Sequence, residues 1–90
     1  MTAPTEVTLL TKNPCTYCDH AKQVLHRVGR DYALRITEIA LDTDMGQVLA
    51  RRAGVMFAPG VLLDGEPFSY GRLSERKLRR TLRTRVASSG

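Results

Sequence analysis

The chain has only two cysteines, two histidines, and no apolar run near the roughly 18 residues needed to span a bilayer. Two cysteines cannot supply a framework of several bridges, so disulfides are not what staples this fold. His20 and His26 cannot easily complete a tetrahedral zinc site with the cysteines, because His20 lies too close to Cys18 in the chain. An iron–sulfur cluster held by one chain needs about four thiolates. A cluster bridged between two subunits, each giving Cys15, stays open as an alternative. Residues 1–6 lack the basic start and apolar stretch of a secretory signal. Repeats, linkers and low-complexity stretches are also missing. The expectation is therefore a monomeric, cytoplasmic protein with no membrane association.

Ninety residues with 42% apolar content can close one compact core, with little stability to spare at this size. A single domain over residues 1–90 is expected, with its core between about residues 6 and 83. The net charge of +5 is uneven. Arg72, Arg76, Lys77, Arg79, Arg80, Arg83 and Arg85 face only Glu75, which leaves +6 on that segment and −1 on everything before and after it. One reading is a face that docks an acidic partner or a nucleic acid. The simpler reading is a solvated helix face, and no aromatic residue interleaves with the arginines to stack bases. No nucleic-acid partner is expected.

Val7 to Thr11 is a β-branched, apolar run ended by Lys12, Asn13 and Pro14, which predicts a strand and a tight loop. From Thr16 the period changes: Cys18, Ala21, Val24, Leu25 and Val28 fall on one helical face, and Gly29 suits the exit. Leu34 to Leu41 reads as a second strand whose alternation slips near Glu38, and a bulge or burial on both faces would explain the slip. Asp42, Thr43 and Asp44 offer caps to a helix bearing Met45, Val48 and Leu49 and closed by Gly54. Gly60 to Leu63 is an apolar strand, Asp64-Gly65 a hairpin turn, and Glu66 to Tyr70 the returning strand. Pro67 places that strand at an edge. Ser74 can cap a last helix with Leu78 and Leu82 as its stripe, Leu73 just ahead, and a frayed end from Val86. The order βαβαββα implies a mixed four-stranded sheet flanked by helices, with the first two strands parallel and the last two an antiparallel hairpin.

Cys15-Thr16-Tyr17-Cys18 sits where the first strand hands over to a helix, the context in which a C-x-x-C pair reads as redox chemistry. A sulfur at the helix start meets unpaired N–H groups and the positive end of the helix dipole, and both favour thiolate over thiol. Cys18, one turn on, is near enough to close a small ring. Cys15 is thus the expected nucleophile and Cys18 the resolving thiol. A purely structural bridge is the bland alternative, and so small a loop constrains the unfolded chain least. His20 and His26 read as solvated helix residues.

The run from Val7 to Cys18 resembles the active-site strand and loop of glutaredoxins, within the thioredoxin superfamily and closest to its small bacterial glutaredoxin-like proteins. Ala58-Pro59 followed by Val61 to Leu63 and Asp64-Gly65 resembles the segment where a cis-proline precedes the third strand. Tyr70-Gly71-Arg72-Leu73-Ser74 is similar to the turn and helix start that hold the γ-glutamyl end of glutathione. The resemblance spans about Val7 to Leu82. It implies a thioredoxin-like, glutaredoxin-type fold and a thiol–disulfide oxidoreductase that carries electrons through a mixed disulfide at Cys15. It also implies substrate-binding roles for Lys12, Tyr17, Ala58, Pro59, Gly71 and Arg72, with Pro59 in the cis form and Lys12 assisting the thiolate. Three positions depart from the family pattern: Thr16 replaces a proline, Ala58 a valine, and Tyr70 the first of two glycines. The implied partners are a disulfide-containing protein or small thiol and a reductase or thiol reductant. No resident cofactor is implied, and glutathione or another low-molecular-weight thiol is the expected class of co-substrate. Two further readings stay open: a redox-sensing or docking module built on the basic last helix, and a dimeric cluster carrier.

Overall fold

A computed structural model describes residues 4–88. The elements run β1 (Thr5–Thr11), α1 (Thr16–Val28), β2 (Leu34–Ala40), α2 (Asp44–Ala53), β3 (Gly60–Leu63), β4 (Glu66–Tyr70) and α3 (Glu75–Ser88). They form one four-stranded sheet in the order β2-β1-β3-β4. β1 and β2 are parallel, as a strand–helix–strand crossover requires, and β3 is antiparallel to both β1 and β4. Asp64 and Gly65 both have positive φ, 51° and 81°, the conformation that a two-residue hairpin turn demands. β4 lies at the edge, as Pro67 requires, and a register shift between Val61 and Leu62 sets Pro67 opposite Leu62.

Successive side chains on a strand point to opposite faces, and the central strands divide accordingly. Val7, Leu9, Val61 and Leu63 pack with Ala21, Val24, Leu25 and Val28 of α1 and with Leu73, Leu78 and Leu82 beside and on α3. Leu10 and Leu62 face the other way, against Ala50 of α2. An ion-pair chain fastens the two helices of the larger cluster. Glu75 accepts from Arg27 at 2.8 Å and from Arg79 at 3.0 Å, and Arg79 also donates to Asp31 at 2.7 Å. The two arginines hold the Glu75 carboxyl below the usual carboxylate range.

Three sequence expectations need correction. β1 begins at Thr5 rather than Val7, because Thr5 joins the β2 ladder opposite Leu34 and its N–H donates to Ala33 O. β2 shows neither a bulge nor two-sided burial: its register with β1 is unbroken from Leu34 to Ala40, and as an edge strand it leaves Ile36 43% exposed. Glu38 points to solvent, where Lys22 meets it at 3.2 Å. On α2 the inward residues are Gly46, Leu49 and Ala50, whereas Met45 is 63% exposed and Val48 is also exposed. The reason is close approach. A Cβ on Gly46 would lie 2.1 Å from the Ala40 carbonyl oxygen, so the helix start can rest on the end of β2 only through a glycine. α3 runs to Ser88, and of the end expected to fray from Val86, residues 89 and 90 lie outside the described residues.

Candidate thiol site

β1 ends at Thr11, and the loop that follows delivers Cys15 to the N-cap of α1 in an extended conformation, φ −158°. Cys15 Sγ accepts a hydrogen bond from the Cys18 N–H at 3.2 Å. This is the bond an N-cap oxygen usually makes, here made by sulfur to a donor that the helix cannot satisfy internally. Cys15 is partly exposed, while Cys18 is only 2% exposed and sits on the face that α1 turns to the core. Both are free thiols. Burial pushes the Cys18 thiol up from its ordinary value, and its hydrogen bond to Cys15 adds to this; a backbone contact with Lys12 opposes both. The two sulfurs, adjacent in space, thus differ in access.

The sheet register brings the remaining candidates to the same end. Leu10 pairs with Gly60 and Gly60 with Tyr70, so Pro59 and Gly71 lie beside the carboxyl end of β1, where the cysteine loop starts. The Ala58–Pro59 peptide is cis, as the resemblance implies, and so is Asn13–Pro14. Pro59 is fully buried and Ala58 partly exposed. The Gly71 N–H donates to the Pro59 carbonyl at 2.9 Å, closing this end of the hairpin. Gly71 adopts φ +78°, a left-handed conformation that glycine takes without the clash a side chain would bring. Lys12, Tyr17 and Arg72 are exposed.

Two features of this end were not legible in the sequence. Phe57, 67% exposed, sets its ring against Tyr70 with centroids 6.0 Å apart, and Met56 beside it is exposed as well. The Tyr70 ring is therefore engaged with Phe57. Between α1 and the start of α3 runs an open groove of about 450 Å³, lined by His20, Val24, Arg27 and the segment from Arg72 to Arg76. His20, expected to be solvated, is half-buried there, and its Nδ1 is enclosed with no hydrogen-bond partner among the described residues. The clue lay in the spacing of His20 and Val24, which puts the imidazole one turn from a core residue. Among the described residues, no three His, Cys, Asp or Glu side chains gather to hold a metal ion.

A dithiol in the first turn of a helix, next to a proline that opens an antiparallel strand of a mixed sheet, defines a thioredoxin-like fold fitted for thiol redox chemistry. Solved structures agree on the fold. A thioredoxin variant from Halobacterium salinarum superposes with a TM-score of 0.67 at 21% identity, covering 89% of this chain and 73% of its own. A thioredoxin-like protein from Clostridium perfringens gives 0.69 at 15% identity, with 93% and 72% covered. Thioredoxin-2, described as a component of the malaria parasite protein secretion machinery, gives 0.68 at 16% identity, with 93% and 85% covered. No curated protein matches the sequence. The chain belongs to the family described as Glutaredoxin-like domain (DUF836), whose profile matches residues 6–83.

Proposed function

We propose that this protein is a dithiol oxidoreductase that reduces protein or low-molecular-weight disulfides through a mixed disulfide at Cys15. The observation that carries the reading is the asymmetry of the pair: Cys15 Sγ caps the helix at 3.2 Å from the Cys18 N–H, while the Cys18 thiol is buried behind it. Cys15, as thiolate, attacks one sulfur of a substrate disulfide, forms the Cys15–substrate bond and releases the other sulfur as a thiolate. Cys18 then loses its proton, attacks Cys15 Sγ, and expels the second substrate thiolate. Two electrons have passed to the substrate and one intramolecular disulfide has formed, which an external thiol or reductase returns to the dithiol.

The surrounding residues support substrate roles consistent with this chemistry. The cis Ala58–Pro59 segment opens β3 and offers backbone for strand-like pairing with an extended substrate. Tyr17 presents an aromatic face on the first turn, and Lys12 and Arg72 flank the same end of the sheet with cationic groups for a carboxylate, while Gly71, its N–H held by Pro59, shapes the turn that leads to Arg72. No resident cofactor enters the cycle; glutathione or another small thiol serves as the electron source, in the cytoplasm. Turnover of a small dialkyl disulfide tests the reading. Cys15→Ser should abolish it, and Cys18→Ser should stop at a trapped mixed disulfide or fall back on monothiol exchange. Full turnover by Cys15→Ser would refute the proposed mechanism.

A further inference from the structure

The arginines of α3 divide into two sets. Arg79 is held by Asp31 and Glu75, and Arg85 donates to Asp64 at 2.6 Å. Among the described residues, Arg76, Arg80 and Arg83 are exposed and their side chains have no ion-pair or hydrogen-bond partner. Their spacing of four and three residues sets them in one row, opposite the buried Leu78 and Leu82. The row spans roughly 10 Å of helix at 1.5 Å per residue. The acids nearby are already engaged: Glu75 and Asp31 by Arg27 and Arg79, and Asp64 by Arg85. Three of the fourteen basic side chains of the chain therefore stand on one short line with no acid beside them.

That line leads toward the thiols. Arg76 also lines the groove whose other wall is His20, Val24 and Arg27 of α1. His20 lies five residues past Cys15, about 7.5 Å along the helix. We propose that Arg76, Arg80 and Arg83 form a docking stripe for an acidic segment of the partner protein that exchanges disulfides with Cys15. The inference rests on the thiol-exchange reading for the partner's redox character, and on the stripe alone for its charge. A protein carboxylate cluster fits better than a nucleic acid. The acid-free length is only about two turns, bounded by Glu75 at one end and the Arg85–Asp64 pair at the other, whereas a phosphate backbone is an unbroken charged track. No aromatic residue stands among the arginines to stack a base.

The test uses a fluorescent 15-residue peptide with glutamates at every third or fourth position, and a matched peptide with glutamines in their place. Each is made once with a small-thiol mixed disulfide near one end and once with serine instead of the cysteine. At low ionic strength the glutamate serine peptide should bind about eightfold tighter than the glutamine one, a factor of about two for each of three exposed ion pairs. Its disulfide form should also react faster, and both preferences should fade with added salt. The variant R76Q/R80Q/R83Q should lose both preferences while reducing a small neutral disulfide at the wild-type rate. Equal binding of the two peptides, a preference retained by the variant, or tighter binding of a duplex DNA fragment than of the glutamate peptide would overturn the stripe. Failure to reduce even the neutral disulfide would instead strike the thiol-exchange reading, and the serine peptides would still decide the docking.

Discussion

The two faces of the sheet are covered unequally. On one, α1 and α3 bury a continuous cluster of leucine, valine and alanine around Leu9, Leu25 and Leu78 and are tied together by the Arg27–Glu75–Arg79–Asp31 chain. On the other, α2 contributes Ala50 to a small cluster with Leu10 and Leu62, and its Met45 and Val48 stay exposed. The cysteines belong to the helix on the deep side. A site whose sulfur must be held at the helix start gains from that anchoring, because Cys18 is itself part of the buried face that fixes α1. The thin side adds to its smaller side-chain cluster a close backbone approach at Gly46.

This contrast can be broken by substitution. Leu25→Ala should have the largest effect, a loss of about 2–5 kcal/mol in unfolding free energy by denaturant titration, since Leu25 is fully buried in the deep cluster. A loss under 1 kcal/mol would mean that the α1 side is not the main core. Gly46→Ala should cost about 1–3 kcal/mol, although alanine is the better helix former, because the new methyl meets the Ala40 carbonyl. A stabilised variant would show that α2 does not rest on β2 as described. Glu75→Gln should have the smallest effect, a modest fall in Tm near neutral pH. The Glu75 pKa is depressed in the folded state, so its contribution is present above the ordinary carboxylate range and lost as pH falls through the depressed value. The Tm difference should therefore vanish in acid; a difference that persists there would point to packing instead of charge.

The element order, the parallel and antiparallel pairings and the deep core were readable because each rested on a strong local signal. Ala21, Val24, Leu25 and Val28 recur at helical spacing, Asp64-Gly65 can take two positive φ angles, and Pro67 cannot donate within a ladder. The face of α2 was misread because hydrophobicity pointed to Met45 and Val48, whereas the governing contact is a glycine against the carbonyl that ends the preceding strand. The slip in β2 was likewise a consequence of tertiary position: an edge strand need not alternate strictly when its neighbour lies on one side only. Of the candidate site, the Cys15 cap was legible from the motif, while the Phe57–Tyr70 contact and the enclosed His20 depend on how loops and helices meet in space.

The chemistry of the pair makes a kinetic prediction on the deep side. Burial is the larger cause of the raised Cys18 value, and Cys18 must lose its proton before it can attack the mixed disulfide. Release of the second product should then rise with pH through and beyond the ordinary cysteine value of about 8.5. Stopped-flow measurement of that step, with a plateau already reached near the ordinary value, would contradict a buried and protonated resolving thiol.

The most direct measurement is competitive alkylation of the reduced protein with limiting iodoacetamide, followed by peptide mass mapping. The account predicts modification at Cys15 with Cys18 spared until the chain unfolds. Equal labelling of the two cysteines in the native protein, or labelling that begins at Cys18, would contradict the division into an accessible attacking sulfur and a buried one that follows.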